Sequence, residues 1–259
     1  MILLLSPAKN LDYKKENPYT DYSVPKHLDK SEVIIHKMRT LSQHKLMSLM
    51  DISEELAKLN VERYNAWHTP FTLANARQAA ITFNGEVYWG LNALDFNEQE
   101  QAFAQAHLRI LSGLHGLLKP LDLIMPYRLE MGSKIAINRK KNLYEFWKEA
   151  IAQDINELLQ FQPSEKSIIN LASKEYFTAV NTKLVNGKII TIDFKEIHDG
   201  KLKSLQFFLK KARGWLARYA IKNQITKSED LKHFNQEGYS YSAEHSNDTN
   251  WTFIRPLQK

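Results

Sequence analysis

The chain of 259 residues contains no cysteine. That absence excludes disulfides, thiolate zinc sites, cysteine-ligated iron–sulfur clusters and cysteine nucleophiles together. It fits a reducing compartment, and a cytoplasmic protein is expected. No apolar run approaches the ~20 residues that a membrane-spanning helix requires, so no membrane partner is expected. The apolar start, Met1–Leu5, is too short for a secretory signal and has no basic residues before it. GxSxG, P-loop, GxGxxG and HExxH motifs are all missing. The nine histidines are scattered and none forms a Glu-x-x-His pair, so neither a metal site nor a cofactor is expected, and the chain reads as a non-enzyme. The few glycines (9) and prolines (8) do not cluster into a linker, which leaves residues 1–259 as a single domain.

What is present is a hydrophobic fraction of 43%, enough for a substantial core, and an uneven distribution of charge. Lys plus Arg (35) exceeds Asp plus Glu (29), a net charge of +6. Lys201–Lys227 carries eight basic residues and no acid, and His107–Lys148 carries eight against three acids. Gln78–Ala106 carries four acids and no Lys or Arg. A solvated surface accounts for any one such run; two of them suggest a positive surface that meets an anion.

The pattern of elements is α+β, a mixed sheet surrounded by helices. Ile2–Leu5 and Ser167–Leu171 read as short buried strands. Helical periodicity runs through Val33–Leu41, Gln43–Met50 and Ser53–Trp67, the last behind an Asp51/Glu54 capping arrangement. Thr72 opens a helix to Phe83. Asn97 with Glu100 opens one that runs to Leu111, and Asn142 with Glu145 a further one to Leu158. Asp199-Gly200 joins Lys188–Ile197 to Lys201–Phe208 as a hairpin. A helix over Leu209–Asn223 and a hairpin of Tyr239–Ala243 with Trp251–Ile254 complete the chain.

Leu108–Pro120 is the most informative stretch. A helix ending at Leu111, then Gly113, Leu114, His115 and Gly116, matches much of a helix–hairpin–helix: glycines that approach an anion closely, and amides that meet phosphate oxygens. His115 is one residue too many for that pattern. The same spacing fits the GXXG loop of a KH module, without its basic middle or flanking strands, and an ordinary turn uses the residues equally. Two strand ends look alike, Leu3–Lys9 and Ile168–Lys174. Each places Ser (Ser6, Ser173) and Lys (Lys9, Lys174) on the loop where open sheets bind ligands. Arg128 beside Glu130 offers a guanidinium or a plain ion pair.

With these residues in view, the chain resembles the YaaA family, the peroxide stress resistance proteins of bacteria, nearly end to end. The resemblance rests on Ser6-Pro-Ala-Lys-Asn-Leu-Asp12, Phe83-Asn-Gly-Glu-Val-Tyr-Trp-Gly90 and the Leu108–Gly116 stretch. It also rests on Lys119–Gly132, Asn170-Leu-Ala-Ser-Lys-Glu-Tyr-Phe177 and Lys210-Lys-Ala-Arg-Gly214. Asn10, His115 and Lys119 stand where the family pattern has Thr, Tyr and commonly Arg. The resemblance implies a cantaloupe-type fold with a helix–hairpin–helix and a positively charged cleft. It implies a DNA-binding protein of the oxidative-stress response, linked to recombinational repair, that limits iron-dependent damage.

The expectation is therefore a binder of duplex or distorted DNA. Gly113, Leu114, His115 and Gly116 hold phosphates, with Lys119 beside them. Lys9, Arg128, Lys174, Lys210, Lys211 and Arg213 are inferred, from charge and loop position, to line the cleft. The alternative is an enzyme acting on a phosphate-bearing small molecule or nucleic acid through the Ser6/Lys9 and Ser173/Lys174 loops. Nothing in the sequence names a protein partner.

Overall fold

The computed structural model describes residues 1–14, 16–17, 19–162 and 165–256. Eight strands form one mixed sheet. In chain order they are β1 (Ile2–Leu5), β2 (Leu108–Ser112), β3 (Gly116–Leu118), β4 (Ser167–Asn170), β5 (Lys188–His198), β6 (Lys201–Lys203), β7 (Ser240–Ser242) and β8 (Asn250–Pro256). Across the sheet the order is β7-β8-β5-β4-β1-β2-β3, with β6 also paired to β5. The five strands from β8 to β2 run parallel; β3, β6 and β7 are added antiparallel.

β1 is four apolar residues, every one fully buried. A strand covered on both faces needs no polar alternation, and parallel strands are normally covered so. Leu3 pairs with Leu108 of β2 on one side and with Ile169 of β4 on the other. β5, nearer the edge, alternates instead, burying Ile190, Ile192, Phe194 and Glu196. The α+β class expected from the sequence is the class observed.

The helices follow their caps. Asn97 and Glu100 form a complete capping box: the Asn97 side chain accepts from the Glu100 amide and the Glu100 carboxylate from the Asn97 amide, both at 2.9 Å. Asn142 likewise accepts from the Glu145 amide at the head of Leu143–Gln160. At Glu54–Ala66 the cap is Ser53 rather than Asp51. Asp51 ends the preceding helix, Gln43–Met50, in the left-handed region at φ 50°.

Two expected helices are corrected. Thr72–Phe83 contains only a single helical turn, Ala79–Thr82, next to a two-residue strand, Arg77–Gln78, that pairs with Leu123–Ile124. The helix from Asn97 ends at His107, because Leu108–Ser112 pairs with β1 as β2. No helix–hairpin–helix is found at Leu108–Leu118: β2 and β3 form a β-hairpin, with Ile110 opposite Leu118 and Ser112 opposite Gly116. Its turn is packed inside the protein. Leu114 and His115 are fully buried, and the Trp147 indole donates to the Gly113 carbonyl at 2.9 Å. The strand expected over Lys201–Phe208 stops at Lys203, since Gln206 begins the helix Gln206–Lys222.

Candidate functional site

In an open sheet, ligands bind beyond the carboxyl ends of the strands at the point where strand order reverses. Here that point is β1, whose neighbours β2 and β4 lie on opposite sides. The loops after β1 and β4 begin with Ser6-Pro7-Ala8-Lys9 and Leu171-Ala172-Ser173-Lys174, and the structure brings them together. The Ser6 hydroxyl accepts the Ser173 amide at 2.8 Å and lies 3.3 Å from the Ser173 hydroxyl. Buried Tyr88 fixes the first loop by donating to the Ser6 carbonyl at 3.0 Å.

One wall of the space above these loops comes from two crossing helices, Glu86–Leu91 and Gln206–Lys222. They approach so closely that a Cβ added to Gly90 would lie 2.3 Å from the Lys211 carbonyl oxygen. The result is a cleft of about 350 Å³, within the size range of small-molecule sites. Ser6, Lys9, Ser173, Lys210 and Arg213 line it, together with Asn84, Glu86, Tyr88, Glu175 and Gln206.

The cleft is mixed in charge. Lys210 faces Glu86 at 3.8 Å, and Lys9 faces Glu130 at 3.4 Å. The loose Lys210–Glu86 pair contributes ~0–1 kcal/mol, so that ammonium can exchange its carboxylate for another anion at little cost. Lys9 is itself exposed, whereas Glu130 is buried and also holds Arg128. Arg213 differs: it is largely buried, and its Nε has no hydrogen-bond partner among the described residues. Burial lowers its pKa from the usual guanidinium value, with the Asp193 charge acting in the opposite sense.

Of the residues expected at the cleft, Lys9, Lys210 and Arg213 are there. Arg128 lines a small adjoining recess with Lys9, and its guanidinium lies 3.0 Å from Glu130. Lys174 is exposed but does not line the cleft, and Lys211 lies over the Trp215 ring at 5.0 Å. Gly113, Leu114, His115 and Gly116 are buried away from solvent, so their amides offer nothing to an external phosphate. The His115 amide is already bonded to the Ser112 hydroxyl. Lys119 is exposed just beyond the hairpin.

The charge segregation has an internal counterpart. Basic residues of Gln206–Lys222 pair with the acid-only segment Gln78–Ala106: Lys210 with Glu86, Arg218 with Asp95, and Lys222 with Glu100 at 2.9 Å. Much of the anion that this basic run was expected to meet is therefore the protein's own. Sequence reasoning missed Asn84, Glu86, Tyr88 and Gln206 as lining residues. The usable signal was the pair of glycines, Gly85 and Gly90, bracketing Glu86 and Tyr88 in the middle of an apolar stretch.

A family model described as peroxide stress protein YaaA matches residues 1–245. A UPF0246 protein of Neisseria gonorrhoeae (strain ATCC 700825 / FA 1090) is 46% identical over 258 residues, covering 100% of this chain and 99% of the relative. Another UPF0246 protein, from Colwellia psychrerythraea, is 47% identical over 255 residues, covering 98% of this chain and 99% of the relative. No helix among the described residues is long and apolar enough to cross a membrane. The chain belongs to the peroxide stress protein YaaA family.

Proposed function

We propose that this peroxide stress protein binds DNA, duplex or distorted, across the mouth of the cleft above β1 and β4, and limits iron-dependent damage by occupying it. The observation that carries this reading is the set of three cations, Lys9, Lys210 and Arg213, on one hollow at the reversal point of the sheet. Ser6 and Ser173 add hydroxyls on the same surface, groups that hydrogen-bond phosphate oxygens without reading bases. The buried hairpin plays no part in contact with DNA.

The reading is tested by anisotropy titration of a labelled duplex over a range of salt. Each phosphate neutralised contributes a slope of about −0.9 in log affinity against log salt. Three cations give a slope of roughly −2 to −3, and Lys210→Ala reduces it by about one. A slope near zero rejects electrostatic binding.

A second reading, an enzyme acting on a phosphate-bearing small molecule or nucleic acid, is favoured by the meeting of Ser6 with Ser173. Incubating labelled DNA with the protein, with and without a divalent cation, separates the two. Cleavage lost in Ser6→Ala supports the enzyme; intact DNA that is nonetheless retained supports the binder.

A further inference from the structure

Trp89 and Phe207 are each about half exposed, at 52% and 49%, in a protein that leaves only four of its 28 aromatic residues exposed. The crossing of the two glycine-bearing helices sets them side by side, ring centroids 6.5 Å apart and planes inclined at 60°. Neither ring lines the cleft itself, but each adjoins a residue that does. The Trp89 indole donates to the Asn84 side chain at 2.8 Å, and Asn84 lines the cleft. Phe207 follows Gln206, which also lines it, and precedes Lys210 by three residues on the same helix. Residues at that spacing are neighbours, ~5–6 Å apart at Cβ. The Phe207 ring and the Lys210 ammonium thus address the same small region.

Two rings merely covering each other would leave less apolar surface open, and Lys210, on the same helix as Phe207, holds Glu86 only at 3.8 Å and so keeps donors for another anion. A nucleotide matches both features, since its base has an apolar π face and its phosphate is anionic. We propose that Trp89 and Phe207 form a stacking platform for an unpaired nucleobase, with the adjoining phosphates on Lys210 and Arg213. The proposal rests on the DNA-binding reading and adds a preference. Bases within a duplex are already stacked on one another, so the platform favours a single strand or an extruded base.

The test compares a labelled oligo(dT) strand with a duplex of equal length by fluorescence anisotropy at fixed salt. Stacking on an aromatic residue is sequence-tolerant and strong enough that its loss costs about tenfold in affinity. Trp89→Ala and Phe207→Ala are each expected to weaken oligo(dT) binding by about that factor and to change duplex binding less than twofold. Trp89→Phe, which retains a ring, keeps most of the affinity. Circular dichroism melting checks that each variant is folded, and the three substitutions give independent chances of a folded one. Equal losses on strand and duplex, or no loss on the strand, overturn the platform and leave the DNA-binding reading in place. Failure of the parent protein to bind either form overturns both.

Discussion

Gly214 faces Val87 across the helix crossing so closely that a Cβ on Gly214 would lie 2.0 Å from the Val87 carbonyl oxygen. The obstructing atom is backbone and has no rotamer to change. In a free helix Gly→Ala gains ~1 kcal/mol of propensity. Here overpacking, worth ~1–3 kcal/mol and more against rigid backbone, outweighs it. Gly214→Ala is expected to destabilise the protein by about 2 kcal/mol and to lower the melting temperature by roughly 4–8 °C. An unchanged melt would mean that the two helices are free to separate.

His115 gives the protein a pH dependence. The ring is fully buried between Phe71 and Tyr127, with Nδ1 3.0 Å from the Ser31 hydroxyl and no partner for Nε2 among the described residues. Burial pushes its pKa down to about 3. Below pH ~6.5 the unfolded chain takes up a proton that the folded one refuses. The contribution of His115 is therefore complete above pH ~6.5 and is lost as pH falls toward 3, at up to ~1.4 kcal/mol per pH unit. His115→Phe keeps a ring in the pocket and removes the proton. Urea denaturation from pH 7 to 4 is expected to fall less steeply for His115→Phe; parallel curves would contradict this.

Gly116 has φ +71°, and an added Cβ would lie 2.6 Å from the Trp147 ring. An added Cβ at Gly113 would lie 2.5 Å from the Leu129 carbonyl oxygen. Replacing both by Val is expected to cost more than ~4 kcal/mol, in the range that a buried clash with strained backbone reaches. Circular dichroism should show loss of cooperative unfolding. A folded double variant defective only in DNA binding would restore the hairpin as a contact surface.

The sequence was legible where local chemistry decides. Asn97 and Glu100 form the capping box that their spacing announces, and Asp199-Gly200 adopts the positive φ values, 50° and 71°, of the expected tight turn. Ser6 and Ser173 were found by reasoning about strand ends. Leu108–Ser112 was not legible as a strand, because a short fully buried run has no period that separates strand from helix. Its conformation is settled by β1, 105 residues away at the Leu3–Leu108 pair. The basic run was visible, but its acidic counterpart became a partner only once Glu86, Asp95 and Glu100 were packed beside Lys210, Arg218 and Lys222.

The position of β1 has a consequence for how the chain is made. Its four apolar residues precede their partners by a long stretch of chain: Ile2 pairs with Ile168, 166 residues later. During translation this segment stays unpaired until β2 emerges and half-paired until β4 does. Closing loops of this length slows folding, and an apolar strand waiting for its partners is open to aggregation. This inner strand is thus made long before the second of its two neighbours, so the nascent chain depends most on protection from neighbours and chaperones between the emergence of β1 and that of β4.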